Sequence, residues 1–267
     1  MSESKRSIVS KRIEEYAAGV YLEDTTGENF IENTIHSTNL PQLLKHISDE
    51  GLRKPILEMG FGEGTITEPL VRAGLAVEIV EGSAKLCDSA VQKFGDKVKV
   101  HCSFFEDFQP SEPFETVLAL HVLEHVDNPV EVLKNVFNWL APGGLVIAVV
   151  PNAESFHRQL AVMMGLQEEL DSLSPRDKIV GHQRVMNLKQ LSSVFERAGF
   201  EVTTEFGYFL KVVPNSMMTG WSKDLIKSLT LISDRIEPRY AANIGVVVRR
   251  NGLTSQSPYA FSPIKIK

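Results

Sequence analysis

The sequence contains little cysteine, with only Cys87 and Cys102 among its 267 residues. Their spacing fits neither a metal-binding motif nor a disulfide framework. A domain that depends on disulfides is therefore excluded, no metal site is predicted, and a reducing cytoplasm is the expected location.

Long apolar runs are absent as well. No stretch reaches the roughly 18 consecutive apolar residues that a membrane-spanning helix needs, and the polar start of the chain, MSESKRSIVSKR, leads into no signal-peptide core. Lys and Arg are not concentrated in any stretch, and the net charge is −6. We therefore expect a small-molecule substrate and neither a membrane nor a nucleic acid as partner.

Glycine, by contrast, is concentrated in residues 54–65, KPILEMGFGEGT. Gly60, Gly62 and Gly64 alternate with other residues after a short apolar run, and a helical pattern follows. This order predicts a strand, a tight turn and a helix. Glycine is needed in such a turn because φ is unusual there and because a ligand must approach the backbone without meeting a Cβ. The pattern indicates a nucleotide-type binding loop at the carboxyl end of the first strand.

Glu58 stands at the mouth of this loop and helps to identify the ligand. Its carboxylate would repel a pyrophosphate at the following helix N-terminus but would hold a cation. A dinucleotide-binding motif also requires a glycine where Thr65 stands. The acid and the glycines resemble the first motif of class I S-adenosylmethionine-dependent methyltransferases. The resemblance implies that S-adenosylmethionine is the cofactor and contacts Glu58, Gly60, Phe61, Gly62 and Gly64.

Glu81 follows a predicted second strand, Ala76–Val80, 21 residues after Gly60. This spacing suits a carboxylate that accepts hydrogen bonds from both ribose hydroxyls. The family places its ribose-binding acid here, and Gly82 follows as expected. The competing explanation is an exposed acid that opens the next helix.

An adenine contact is expected after the third strand, Val98–His101. The resemblance places Ser103, Phe104 and Phe105 at this contact, but Phe104 stands where family members often have Asp. The remaining options are contacts through backbone amides and ring packing, or two rings that belong to the core.

The segment H-V-L-E-H-V, residues 121–126, follows the predicted fourth strand, Thr116–Leu120. It resembles the corresponding motif of small-molecule O- and N-methyltransferases, including the quinone-biosynthesis type. The resemblance implies that His121 and Val122 lie against the cofactor. Residues 55–150 match the family continuously, ending with a Pro-Gly-Gly turn at residues 142–144 and a fifth strand, Leu145–Val150.

The resemblance predicts a doubly wound α/β fold with a mostly parallel seven-stranded sheet, in which strands six and seven are Glu201–Phe209 and Ile244–Arg249. The predicted parts are a helical cap (1–53), the cofactor-binding core (54–150), a substrate lid (151–187), the rest of the core with a helical insert (188–250), and a peripheral tail (251–267).

The chemistry of methyl transfer limits what the protein must supply. Displacement at an activated sulfonium needs mainly alignment and desolvation. A hydroxyl acceptor also benefits from a base, by roughly 10²–10⁴-fold, whereas an amine needs only to arrive unprotonated. His182 in the lid is the favoured base and His125 the next; transfer without any protein base stays an alternative.

Other side chains are predicted to line the substrate site: Tyr16, Tyr21, His36, Asn152, His157, Arg158 and Arg184. If Arg158 and Arg184 point inward, they predict an anionic substrate, because guanidinium groups pair with phosphate. A solvated lid surface explains both arginines equally well. The N-terminal aromatic residues can instead pack against their own helices.

The predicted helical insert, Ser216–Ile236, carries an apolar stripe that includes Met217, Met218, Trp221 and Leu225. The stripe favours a core position or a homodimer interface over a ligand site.

The sequence thus predicts an S-adenosylmethionine-dependent methyltransferase that acts on an oxygen or nitrogen of a small metabolite. Two alternatives remain. One is a non-catalytic protein that keeps the cofactor pocket, and the other is an NAD-dependent oxidoreductase, which Glu58 and the early third glycine disfavour.

Overall fold

The computed structural model describes residues 13–15, 17–24, 27–48 and 55–251. Tyr16, the polar start of the chain and all but the first residue of the predicted tail lie outside these ranges. The division into five parts therefore stays a prediction.

Seven strands form one sheet, as predicted. They are β1 (Ile56–Met59), β2 (Val77–Glu81), β3 (Val98–Cys102), β4 (Phe114–Leu120), β5 (Leu140–Pro151), β6 (Phe200–Tyr208) and β7 (Asn243–Arg250).

Eight α-helices accompany the sheet within the described ranges. They are α1 (Asn29–Ser48), α2 (Thr67–Arg72), α3 (Ala84–Phe94), α4 (Pro129–Trp139), α5 (Phe156–Met163), α6 (Pro175–Ile179), α7 (Leu188–Arg197) and α8 (Lys223–Leu231). A π-helical turn, Ala17–Leu22, precedes α1.

The strand order is β3-β2-β1-β4-β5-β7-β6. Strands β1 to β5 pair in parallel, and β7 runs antiparallel to both β5 and β6. The chain therefore reverses its direction of winding between β1 and β4, which are neighbours in the sheet. In an open α/β sheet, ligands bind at the carboxyl ends of the strands at such a switch point.

Several helices begin at side chains that cap their first turn. Ser83 Oγ accepts a hydrogen bond from the amide of Leu86 at the start of α3. Asn128 caps α4, where Pro129 occupies the first turn and needs no amide partner. These caps place the ends of α3 and α4 close to the carboxyl edge of the sheet.

The core lies on both faces of the sheet. One cluster contains Leu70 and Leu86 from α2 and α3, together with Ile226 from α8. The other contains Leu133 and Phe195 from α4 and α7. Because helices cover both faces, the central strands read as continuous apolar runs.

The predicted insert differs from the expected single helix. It consists of a 3₁₀ turn, Asn215–Met217, and the shorter α8, whose start is capped by Ser222. Met218 is fully buried in the core, whereas Met217 is 65% exposed. Only part of the stripe is therefore core, and the dimer stays a prediction.

None of the helices in the described ranges combines the length and the apolar composition that crossing a bilayer demands.

Candidate active site

A cavity of about 900 Å³ lies at the carboxyl edge of the sheet. Its walls come from the glycine loop, α1, the segment after β4, the region between β5 and α7, and the segment after β6. The volume is near the upper end of small-molecule sites, which span roughly 300–1,000 Å³. The cavity therefore has room for more than one ligand.

The glycine loop has the backbone that its sequence predicts. Gly60, Gly62 and Gly64 have φ values of +76°, +56° and +75°, a region that favours glycine. Gly60 and Gly62 line the cavity, but Gly64 does not. A Cβ on Gly64 would come within 2.8 Å of the Phe61 ring and 3.0 Å of the Phe94 ring. Gly64 thus serves packing behind the loop, which differs from the predicted cofactor contact.

Two buried carboxylates stand beside this loop. Glu58 Oε2 accepts a hydrogen bond from Thr67 Oγ1 at 2.7 Å. Glu81 accepts one from the amide of Phe61 and one from the amide of Ser83, each at 2.8 Å. Both carboxylates line the cavity.

Burial raises the pKa of both acids. The pKa of Glu58 reaches about 8, with Glu81 adding to the effect of burial. Burial also raises the pKa of Glu81, although backbone hydrogen bonds from Phe61 and Ser83 oppose it. A cationic ligand would restore the charged form of either group.

The predicted adenine region is only partly on the cavity wall. Gly82, Phe104 and Phe105 line the cavity. Ser103 does not; its amide donates to the Glu81 carbonyl oxygen and its hydroxyl to the Phe104 carbonyl oxygen. Ser103 therefore supports its neighbours from behind the wall, and its predicted contact with the adenine stays a prediction.

His121 has an unusual backbone for a non-glycine residue, with φ +57°. Its Nε2 makes a 3.2 Å hydrogen bond with Tyr208 Oη, and its Nδ1 lies 3.3 Å from Glu124 Oε1. The His36 ring packs edge-on at 4.9 Å. His121 and the neighbouring Val122 both line the cavity, and their contact with the cofactor stays a prediction.

Glu124 has no solvent exposure and lies among three histidines. Burial raises its pKa, but a hydrogen bond from His121 and the proximity of His125 and His182 lower it. Its Oε1 lies 3.3 Å from His121 Nδ1 and 4.0 Å from His182 Nε2. The cavity floor thus carries an ionised carboxylate among three histidines.

Glu124, His125 and His182 also bring one ligand atom each within 4.8 Å of the others. Two imidazoles and a carboxylate are ligands for several divalent metals. No metal site is predicted from the sequence, and among the described residues this grouping could hold an ion.

His182 is fixed by Asp177, a residue that the sequence analysis missed. His182 Nδ1 lies 2.9 Å from Asp177 Oδ1. Burial raises the pKa of Asp177, but the hydrogen bond from His182 and the charge of Arg158 hold it well below its usual range. The carboxylate is therefore ionised and accepts the Nδ1 proton. The other ring nitrogen, Nε2, lies 4.0 Å from Glu124 Oε1.

Backbone contacts hold the same segment in place. The amide of His182 donates to the Asp177 carbonyl oxygen, and the amide of Gln183 donates to the Glu124 carbonyl oxygen, both at 2.8 Å. Asp177 also forms a capping box with Ser174 at the start of α6. One carboxylate thus orders a lid helix and orients an imidazole.

The two arginines predicted to bind an anion have other partners. Arg158 donates to Asp177 Oδ2 at 2.6 Å and to the carbonyl oxygen of Ser172 at 2.9 Å. Arg184 is not on the cavity wall; it donates to the carbonyl oxygens of Leu123, Val126 and Asp127. Arg184 therefore stabilises the segment after β4. Arg158 lines the cavity, but its guanidinium is paired with Asp177. The anionic substrate stays a prediction.

Asn152 lines the cavity, but its side chain is fully hydrogen-bonded within the fold. Its amide donates to the carbonyl oxygens of Arg239 and Ala241, each at 2.7 Å, and its oxygen accepts from the amide of Glu154. Its side chain therefore joins the residues that follow β5 to the segment that precedes β7.

The remaining predicted residues, Tyr21, His36, His125 and His157, lie on the cavity wall. Burial lowers the pKa of His36 and of His125 to about 4. Burial, followed by the charges of Lys211 and Arg158, lowers the pKa of His157 further. These imidazoles are neutral at pH 7.

Four residues of the site were not predicted: Glu124, Asp177, Tyr208 and Lys211. For Asp177 a signal existed, because Ser174 followed by Asp three residues later matches a capping pattern. Glu124 lies inside the segment H-V-L-E-H-V, but nothing in the sequence indicates that it is buried among histidines.

A methyltransferase-domain family matches residues 34–205, more than half of the chain. The chain belongs to this family. The predicted class, an S-adenosylmethionine-dependent methyltransferase, and the predicted cofactor are thereby confirmed.

Two of the curated relatives that match this chain share one name. One from Caulobacter sp. (strain K31), named ubiquinone biosynthesis O-methyltransferase, is 35% identical over 108 residues, 39% of this chain and 42% of the relative. Another of that name, from Rhizobium leguminosarum bv. trifolii (strain WSM2304), is 25% identical over 219 residues, 80% of this chain and 81% of the relative. The chain matches less than half the length of the first of these relatives.

A solved structure of an S-adenosylmethionine-dependent methyltransferase from Mesorhizobium loti has the same fold, with a TM-score of 0.57 and 15% identity. The alignment covers 80% of this chain and 98% of that one.

Proposed function

We propose that this protein transfers a methyl group from S-adenosylmethionine to a hydroxyl oxygen of a small molecule. The observation that carries this proposal is the imidazole of His182, which is held by Asp177 on the cavity wall with its second nitrogen available. The relatives carry the name O-methyltransferase, which agrees with an oxygen acceptor.

The cofactor fits the side of the cavity next to the glycine loop. Glu58 can hold its cationic groups, Glu81 can accept hydrogen bonds from its ribose, and Gly60 and Gly62 leave room at the backbone. When bound, the cofactor would supply an activated methyl group, which passes to the lone pair of the acceptor while S-adenosylhomocysteine leaves.

His182 then removes the proton of the acceptor hydroxyl. Because Asp177 accepts the Nδ1 proton, Nε2 carries the lone pair and faces the cavity floor. As the oxygen attacks the methyl carbon, the proton passes to Nε2 and the imidazole becomes positively charged. Asp177 and Glu124 both stabilise that charge.

The alternative acceptor, an amine, requires no such base, so it would leave the Asp177–His182 arrangement without a use. His125 is less suited to the role because burial lowers its pKa to about 4. An NAD-dependent function is disfavoured by the early third glycine and by Glu58, whose buried carboxylate would face a phosphate-bearing ligand.

The test uses S-adenosylmethionine with a ¹³C-labelled methyl group and an extract of small metabolites. The chemical shift of the labelled product distinguishes an O-methyl from an N-methyl group. His182→Gln should lower turnover about 10²-fold or more while cofactor binding is kept. His101→Gln, a histidine of β3 that does not line the cavity, is the control. An N-methyl product, or unchanged turnover in His182→Gln, would overturn the proposal.

A further inference from the structure

Lys211 lies on the cavity wall in the segment that follows β6. The backbone there is fixed on both sides. Phe209 has φ +68° and a buried ring, and its carbonyl oxygen accepts from the amide of Ala242 at 2.8 Å. The amide of Leu210 donates to the carbonyl oxygen of Leu229 at 2.8 Å. The position of Lys211 is therefore set by a strained turn and two long-range hydrogen bonds, and not by a loose loop.

The ammonium group of Lys211 has no counter-ion of its own. Among the described residues, no carboxylate lies within ion-pair distance of it. The nearby arginines are each paired, Arg158 with Asp177 at 2.6 Å and Arg176 with Glu28 at 2.7 Å. Burial lowers the pKa of Lys211, and Glu32 and Glu28 oppose that shift from beyond ion-pair distance. The Glu32 carboxylate also accepts a hydrogen bond from Asn215.

His157 adds a second polar group without a partner on the same wall. Its Nδ1 is buried and has no hydrogen-bond partner in the described part of the chain. The neutral imidazole can donate from this nitrogen. A buried donor without an acceptor costs stability unless a ligand supplies one. Lys211 and His157 both line the cavity, and the charge of Lys211 acts on the His157 imidazole.

We infer that Lys211, assisted by His157, binds an anionic oxygen group of the methyl acceptor, a carboxylate or a phosphate. A single such group would accept hydrogen bonds from both side chains and would neutralise the lysine. This inference rests on the proposed function and adds the acceptor's charge to it. It keeps the predicted anionic substrate but assigns its recognition to residues other than Arg158 and Arg184.

The surroundings of this subsite indicate the rest of the acceptor. Leu160 and Ala161 from α5 and Val212 and Val213 from the segment after β6 line the cavity near it. An apolar body fits such a wall better than a sugar or a peptide. The acceptor class is therefore an amphiphilic acid that carries a hydroxyl group.

The test measures binding by calorimetry to protein saturated with S-adenosylhomocysteine. The probes are 4-hydroxybenzoate, 4-hydroxyphenyl phosphate and the neutral 4-hydroxybenzamide. Wild-type protein should bind at least one anion about tenfold more tightly than the amide, and the preferred anion separates carboxylate from phosphate recognition. Lys211→Met should remove the preference, whereas Lys211→Arg should keep most of it. Lys223→Met, an exposed lysine of α8, should behave as wild type.

Two results contradict the inference. One is wild-type protein that binds anions and amide equally or binds none of them, and the other is a Lys211→Met variant that keeps the preference. The outcome of the labelled-methyl experiment is independent of the outcome of this binding experiment. An N-methyl product with an anion preference that depends on Lys211 would overturn only the proposed function, and an O-methyl product without that preference would overturn only the subsite.

Discussion

We call the part of the cavity with Glu58 and Glu81 the cofactor half and the part with Glu124 and Asp177 the acceptor half. The pKa values of the buried acids shift in opposite directions in these two halves. In the cofactor half, burial raises the pKa of Glu58 and Glu81, and their hydrogen-bond donors are neutral amides and a hydroxyl. In the acceptor half, the pKa values of Glu124 and Asp177 are lowered despite burial, because histidines and Arg158 surround them. The cofactor half thus lacks positive charge until a cationic ligand binds, whereas most acids of the acceptor half have internal partners.

This difference indicates how each half of the cavity would select its ligand. A half with unpaired acids is completed by a cation, which agrees with S-adenosylmethionine. A half whose acids are already neutralised recognises its ligand by the groups left over. In our proposals, those groups are the Nε2 of His182 and the ammonium of Lys211.

The largest expected effect comes from breaking the buried ion pair of the acceptor half. Asp177→Ala leaves the Arg158 guanidinium buried without a charge partner. The free energy of unfolding should fall by about 3–5 kcal/mol, measured by chemical denaturation. The affinity for S-adenosylhomocysteine should change little in the folded protein, because the cofactor half does not use this pair.

A double variant separates the ion pair from general damage to the lid. Arg158→Met combined with Asp177→Ala should recover much of the lost stability, because no buried charge is left unpaired. If the double variant loses more unfolding free energy than the two single variants together, the ion pair is not the cause of the loss. A loss below about 1 kcal/mol in the single variant would also contradict this account.

The second effect breaks the cofactor half alone. Glu81→Ala removes the acceptor for both ribose hydroxyls, so the affinity for S-adenosylhomocysteine should fall about 100-fold, measured by calorimetry. Glu78→Ala is the control, since this acid of the same strand pairs with His101 and Lys99 away from the cavity. Equal affinities in the two variants would remove Glu81 from the cofactor site.

The sequence predicts the cofactor half well for a physical reason. The residues of this half lie directly at the ends of strands. The sequence marks such an end where an apolar run stops, as it does at Gly60 and at Glu81. Parallel strands bring those ends to one edge of the sheet without any further information. The predicted strands and the glycine loop accordingly match the structure to within a few residues, apart from the longer β5.

The acceptor half could not be predicted in the same way. Its organisation depends on which side chains pair across elements that are far apart in the chain, such as His121 with Tyr208 and Arg184 with the carbonyl oxygens after β4. Residue type alone predicted Arg184 to face an anion, but the same guanidinium equally satisfies backbone carbonyls. Lys211 carried no motif, and its exposure to the cavity follows from the turn at Phe209.

The third prediction concerns how the stability of the ligand-free protein depends on pH through Glu58 of the cofactor half. The pKa of Glu58 is about 8 in the folded protein and near 4.5 when unfolded. The folded state therefore binds the extra proton, so stability is fully present below about pH 4.5 and is lost as pH rises towards 8. Between pH 6 and pH 8, Glu58 should cost the ligand-free protein about 2 kcal/mol. Glu58→Gln should flatten this slope in denaturation experiments at several pH values.

A bound cation should have a related effect on the wild type. Saturation with S-adenosylhomocysteine, which carries an ammonium group, should keep Glu58 ionised and reduce the same slope. Identical slopes for wild type and Glu58→Gln in the absence of ligand would show that the acid is already charged.

The smallest effect concerns the glycine loop and compares two glycines with nearly the same backbone. Gly64 and Gly74 have φ values of +75° and +74°, but a Cβ on Gly74 would meet nothing within 4 Å. Alanine at either position carries the same backbone cost, of about 1 kcal/mol. At Gly64 it also displaces the rings of Phe61 and Phe94, so Gly64→Ala should lose about 1–2 kcal/mol more than Gly74→Ala in thermal or chemical unfolding. Because the amide of Phe61 donates to Glu81, the displacement should also weaken S-adenosylhomocysteine binding. If both variants are equally stable, the loop needs glycine at position 64 for its backbone conformation alone.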